Sequence, residues 1–233
     1  MKRILLLLIF SLAVLSAIAQ QKVPREWDFG VVGGTNMSTY NFYPKVTQKM
    51  GSGMTAGVAV RYIEEKFFGI EAELLYTQRT MTDEYDEDHP DYKFSRTLSY
   101  IELPVQAHIY FNLGKKSEIA VDLGPKIGVY LSDKISSNLD ESFYEEYAWR
   151  FPHGYQHHLM DVSKKFDYGI QAGLGYEFKF NRQYSFQLTG RYYFGLGNIF
   201  PDSKKDTYEQ SGNRSVQIVG TFWFHHRVKV RHQ

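Results

Sequence analysis

The sequence predicts an all-β fold, an eight-stranded antiparallel up-and-down transmembrane β-barrel preceded by a cleaved signal peptide. Three observations predict it. Apolar and polar residues alternate with period two over segment after segment, the connections between segments alternate short and long, and the face opposite the apolar one carries charges. Composition agrees, because 16% aromatic content at a mean hydropathy of −0.40 suits a wall that is apolar on one side only. The absence of cysteine excludes a disulfide framework, a thiolate metal site and a cysteine nucleophile. A formal net charge of +1 leaves no global footprint for nucleic acid.

The first element is residues 1–19, MKRILLLLIFSLAVLSAIA. Lys2 and Arg3 precede an apolar run from Ile4 to Val14, and Ala17-Ile18-Ala19 supplies an A-x-A cleavage site, the pattern of a secretory signal peptide. The run is too short for a membrane-spanning helix, which needs roughly 20 apolar residues. Residues 20–233 form the exported domain, expected as a barrel in the cell outer membrane.

The clearest strand is Ser99–Leu113, with Ile101, Leu103, Val105, Ala107, Ile109, Phe111 and Leu113 on one face. Tyr100, Glu102, Pro104, Gln106, His108, Tyr110 and Asn112 lie on the other. Ile119–Leu131, Phe166–Phe180 and Tyr184–Phe194 repeat the pattern, and Trp27–Met37, Gly53–Ile63, Phe67–Thr80 and Ser215–Phe224 carry it diluted by glycine and alanine. The short connections are 64–66, 114–117 and 181–183; the long loops are about 38–52, 81–97, 133–165 and 196–214. Short turns on one rim and long loops on the other are the mark of an outer-membrane barrel, with both termini on the periplasmic, short-turn side. Rings near strand ends (Tyr76, Phe111, Tyr130, Phe178, Phe180, Tyr184, Phe194, Phe222 and Phe224) suit aromatic girdles at the two membrane interfaces.

The opposite face gathers Arg61, Glu71, Glu73, Glu102, His108, Asp122, Lys126, Asp167, Glu177, Lys179 and Arg191, too many charges for the dry core of a soluble sandwich. Eight strands enclose a lumen only wide enough for side chains to fill, so these charges read as a paired structural plug rather than an ion path.

Several segments, in order, match a known pattern. Tyr100-Ile101-Glu102-Leu103-Pro104 is followed by Asp122-Leu123-Gly124-Pro125 with Gly128-Val129-Tyr130-Leu131, then by Phe166-Asp167-Tyr168-Gly169 with Gly173-Leu174-Gly175-Tyr176-Glu177. Arg191-Tyr192-Tyr193-Phe194-Gly195-Leu196-Gly197-Asn198-Ile199 and Asn213-Arg214-Ser215-Val216-Gln217-Ile218 close the series. Across Trp27 to Phe224 the chain thus resembles the PorT-like outer-membrane β-barrel family. The resemblance implies a small barrel in the outer membrane; the family's best-known member assists type IX protein secretion, and most relatives have no assigned role. The long insert 133–165 departs from the family pattern.

Four further features bear on function. The acidic run Asp83-Glu84-Tyr85-Asp86-Glu87-Asp88, with Asp91, offers oxygen atoms of the kind Ca²⁺ takes but lacks EF-hand spacing, so it reads as a solvated loop. His153, His157 and His158 could seat a transition metal if their loop folds locally; with no scaffold implied they read as a chance cluster. His225, His226 and His232 with Arg227, Lys229 and Arg231 form a basic exit segment. Phe143, Tyr144, Tyr147, Trp149, Phe151 and Tyr155 are expected to pack over the barrel mouth and to supply the candidate contact surface for a partner or ligand.

No His-x-Ser pair of the lipid-A deacylase kind occurs, nor a G-x-S-x-G, H-E-x-x-H or G-x-x-x-x-G-K motif. The expectation is a non-enzymatic envelope scaffold or loop-mediated binder without a cofactor, in contact with outer-membrane lipid and envelope proteins. The alternatives are a PorT-type secretion accessory and a lipid-A-modifying barrel enzyme.

Overall fold

The computed structural model describes residues 22–85, 91–147, 155–203 and 206–227. The expected signal peptide, residues 1–19, lies outside them. The strands are β1 (Lys22–Tyr43), β2 (Gln48–Glu65), β3 (Phe68–Asp83), β4 (Phe94–Asn112), β5 (Ser117–Ser137), β6 (Phe166–Lys179), β7 (Tyr184–Asn198) and β8 (Gln210–Arg227). Two short helices, α1 (Glu141–Tyr147) and α2 (Gln156–Leu159), lie between β5 and β6. Each strand pairs antiparallel with the next, and β1 pairs with β8 from Glu26↔Arg227 to Tyr43↔Gln210, closing the barrel.

Closure removes both sheet edges, and the alternation then has one consequence for every strand: apolar side chains face out and polar ones in. On β4, Ile101, Leu103, Val105, Ile109 and Phe111 are exposed while Glu102, Gln106 and His108 are buried. Exposed apolar residues cover the outside of all eight strands, which is the surface lipid stabilises and water does not. Ile101 to Phe111 rises about 25 Å at about 3.3 Å per residue and a tilt of about 40°, the height of a membrane barrel's apolar band. At the short-turn end this band is bordered by rings in mutual contact: Trp27 with Tyr62 at 4.8 Å between centroids, Phe67 with Phe111 at 5.6 Å, and Tyr184 with Phe224 at 5.7 Å.

The strands run further than the alternation foretold, so the long connections shrink to 44–47, 84–93, 138–165 and 199–209. Beyond the band the outward residues become polar, as at Thr82, Ser95 and Thr97, while the backbone ladder persists: Thr82 still pairs with Ser95, and their hydroxyls are hydrogen-bonded at 3.1 Å. Tyr130 also departs from expectation. It turns inward, bonds Asp133 at 2.6 Å and meets Tyr100 edge-on at 5.9 Å, so it belongs to the mouth of the barrel and not to a girdle.

Candidate functional site

The lumen is filled from the short-turn end upward by side chains that different strands supply. Arg61 of β2 donates to Asp28 of β1 at 2.9 Å, to Glu177 of β6 at 3.0 Å and to Gln187 of β7 at 3.3 Å, and it lies 4.3 Å from the Trp223 ring centroid. His108 bridges Arg61 at 3.2 Å and Asp122 at 2.6 Å. Arg191 holds Glu73 through two parallel bonds of 2.6 and 2.7 Å, the geometry in which a guanidinium binds a carboxylate best. Higher still, Arg79 binds Glu102 and reaches Asp167 at 2.5 Å between the rings of Tyr100 and Tyr193, and Lys126 donates to Glu102 at 3.0 Å.

The charges that parity placed inside do meet there, with one adjustment. Lys179 stands at the short-turn rim, 30% exposed, and pairs with Glu118 at 2.7 Å instead of joining the central network. Its strand ends at that residue, so its long chain reaches water. Asp28, Arg79 and Glu118 are members that the sequence reading missed. Arg79 was legible as an inward position of β3, two residues beyond Thr77, but it lies past the clearest part of the alternation. Below Arg61 the network opens into a pocket of about 320 Å³ lined by Glu26, Asn112, Lys179, Arg182 and His225 among others.

At the long-loop end the filling changes character. Tyr40, Phe42, Met81, Leu98, Tyr100, Val162, Ile199, Phe200 and Tyr208 form a buried apolar cluster over the charged lumen, a small core of the soluble kind standing on the membrane barrel. The segment 138–165 is drawn onto it by Arg96, which donates to the carbonyls of His157 at 3.1 Å and Met160 at 2.6 Å while paired with Asp133 at 2.5 Å.

Within this cap, Asp83 at the end of β3 receives both histidines of α2. His157 Nε2 lies 2.9 Å and His158 Nε2 2.6 Å from the same oxygen, Oδ2. Each remaining imidazole nitrogen faces a tyrosine hydroxyl, His157 Nδ1 that of Tyr208 at 3.3 Å and His158 Nδ1 that of Tyr144 at 3.2 Å. Burial pushes His158 down to about 4, and the hydrogen bond to Asp83 only partly opposes it. Burial, reinforced by the negative charge of Asp83, pushes the Tyr85 phenol up.

The loop rings divide. Phe143 is buried, edge-on to Tyr92 at 5.2 Å and to Tyr155 at 4.9 Å, so it is a keystone of the cap and not contact surface. Tyr144 and Tyr155 are half-buried in the same cluster, with Tyr85 stacked on Tyr155 at 6.2 Å. Trp149 and Phe151, the side chain of Tyr147, His153, the acidic residues 86–88 and the end of the basic tail lie outside the described residues.

A closed eight-stranded barrel with a lipid-facing apolar band, a filled polar lumen and a folded cap defines an outer-membrane β-barrel protein. Residues 18–201 match the family model described as the outer membrane protein beta-barrel domain, and the chain belongs to that family. No curated protein matches the sequence. Among solved structures the chain is similar to OprG of Pseudomonas aeruginosa, at 12% identity and a TM-score of 0.49, covering 89% of this chain and 98% of that one. It is also similar to Neisserial surface protein A, at 10% identity and a TM-score of 0.44, covering 88% and 99%. A third is Ail of Yersinia pestis, crystallised with the heparin analogue sucrose octasulfate, at 13% identity and a TM-score of 0.42, covering 87% and 100%.

Proposed function

We propose that this protein is a non-enzymatic outer-membrane barrel that works through the outside of its cap, as a receptor for a protein partner or as a scaffold in an envelope assembly. The observation that carries this reading is the filled lumen. With Arg61, Arg79, Lys126, Tyr193 and Trp223 all buried inside, a solute has no path through the wall, and the surface left for recognition is the cap. That surface includes exposed Leu159 of α2 and Leu131 and Ile135 of β5. The ladder between β5 and β6 stops at Val129↔Phe166, so among the described residues Ser132–Ser137 pairs on its β4 side alone and offers main-chain groups to an incoming strand. In this reading residues 1–19 are removed on export, the mature domain is 20–233, and the cap faces outward. Intact-mass measurement on the outer-membrane form is expected to give a chain beginning at Gln20.

The reading is tested by crosslinking intact envelopes that carry either the full chain or a variant lacking residues 138–165. Proteins captured by the full chain and lost with the variant support it. The same capture by both, with the variant still migrating as a heat-modifiable barrel, overturns it.

The order of motifs from Tyr100 to Ile218 favours a PorT-type role in type IX secretion as the second reading. Several of those motif residues, however, serve the barrel itself: Tyr100 covers Arg79, Glu102 binds Arg79 and Lys126, and Arg191 binds Glu73. A secretion role therefore predicts co-purification with secretion components. A lipid-A-modifying activity predicts a changed lipid A mass in cells lacking the gene, and our proposal expects none.

A further inference from the structure

Among the described residues, three groups of side chains bring histidine and carboxylate atoms within 4.8 Å of one another: Asp83 with His157 and His158, Glu26 with Asp28 and His225, and Glu71 with His108 and Asp122. In the last two a resident cation already occupies the neighbourhood. Arg61 binds Asp28 at 2.9 Å and His108 at 3.2 Å, and Arg191 stands 3.8 Å from Glu71. The first group differs. Its nearest guanidinium, Arg96, is paired with Asp133 and spends its donors on carbonyl oxygens. The first group offers one carboxylate, Asp83, and two imidazoles.

We propose that Asp83, His157 and His158 bind one divalent transition-metal ion of the Zn²⁺ kind, which clamps the loop between β5 and β6 onto the end of β3. Two imidazole nitrogens and one carboxylate oxygen are a donor set suited to Zn²⁺, with a fourth position open to water or another oxygen. The spacing is close to what such an ion needs. Ligand atoms about 2.0–2.1 Å from a tetrahedral centre lie about 3.3 Å apart. From separations of 2.9 and 2.6 Å, each histidine therefore moves outward by less than about 1 Å.

The surroundings fit both the empty and the loaded state. Without metal, each Nε2 is hydrogen-bonded to Asp83 and each Nδ1 to a tyrosine hydroxyl. With metal, each Nε2 turns its lone pair to the ion, and each Nδ1–H donates to that same hydroxyl oxygen, the outer partner that ligating histidines require. Phe94 stacks on His158 at 3.5 Å between centroids and Phe42 lies 5.3 Å from His157, so both rings are held in place by packing. The same cage contains the Tyr85 hydroxyl, buried with no hydrogen-bond partner among the described residues, while its ring stacks on Tyr155, itself 5.5 Å from His158.

The test uses the full mature chain in detergent, purified without a polyhistidine tag and titrated calorimetrically with ZnCl₂. One saturable site per chain is expected. Its affinity should fall more than about 100-fold in His157→Ala/His158→Ala and at least about tenfold in Asp83→Asn and Tyr208→Phe. His225→Ala should bind as the parent does. Binding that the double histidine variant retains, or no saturable heat in the parent chain, overturns the proposal. Should that variant fail to form a heat-modifiable barrel, Co²⁺ added to the parent chain decides: intense visible d–d bands of a four-coordinate nitrogen and oxygen site support the assignment, and their absence refutes it.

Discussion

Glu71 and Glu73 stand two positions apart on β3, both buried in the lumen, yet their surroundings oppose each other. Glu73 is gripped by two bonds from Arg191, whereas among the described residues neither oxygen of Glu71 has a hydrogen-bond partner, and the nearest basic side chains are Arg191 at 3.8 Å and His108 at 3.9 Å. A buried carboxylate without hydrogen bonds costs folding energy, while breaking a well-made buried pair leaves the partner charge stranded. Glu71→Gln is therefore expected to leave stability unchanged or raise it by about 1 kcal/mol, and Glu73→Gln to lower it by about 3 kcal/mol. Urea titrations of the detergent-folded barrel, followed by heat-modifiable gel migration, compare the two. Equal losses would refute the distinction. Parity along each strand was enough to send both residues inward, because the face a side chain takes is a local property. Their partners were not legible: Arg191 lies 118 positions from Glu73, and only the cross-strand register of a closed barrel brings them together.

Between elements, the distance separating neighbouring strands sets what each position tolerates. β2 and β3 approach so closely at Gly57 that a Cβ there would fall 2.0 Å from the Leu74 carbonyl oxygen, whereas a Cβ on Gly33 of β1 would meet nothing within 4 Å. Gly57→Val must push two ladder-bonded backbones apart and is expected to cost about 3 kcal/mol or prevent folding. Gly33→Val adds apolar surface toward lipid on an exposed strand position and is expected to be neutral within about 0.5 kcal/mol. The same urea titration tests the pair, and a tolerated Gly57→Val would refute the close contact. The sequence showed both glycines only as dilutions of the alternation, since a glycine needed for backbone approach looks like one that fills no space. Strand ends were illegible for a related reason. Past the lipid layer the outer face no longer needs apolar residues, so the alternation fades at positions such as Thr82 and Ser95 while the hydrogen-bonded ladder continues.

For the whole molecule the question is which layer closes the barrel, the charged lumen or the cap above it. The lumen network spans the ring: Arg79 reaches from β3 to Glu102 on β4 and Asp167 on β6 between the rings of Tyr100 and Tyr193, and Arg61 ties β2 to β1, β6 and β7. Neither set of contacts uses a residue of 138–165. Removing that segment takes away α1, α2, Phe143 and both α2 histidines, and because Phe166 pairs with Val129 it obliges Leu131–Ser137 to leave β4 and form the turn; yet it leaves every one of those ion pairs and the strand ladder up to Val129. Two outcomes are therefore expected of the deleted chain in planar bilayers: no steady ion current, as for the full chain, and retained heat-modifiable migration. The first follows because eight strands leave room only for the side chains already there. The second follows because barrel stability comes from ladder bonds and lipid-facing apolar surface rather than from the loop. A steady current from the deleted chain alone would show that the cap is the seal, and would move the functional surface from the outside of the cap to the lumen beneath it.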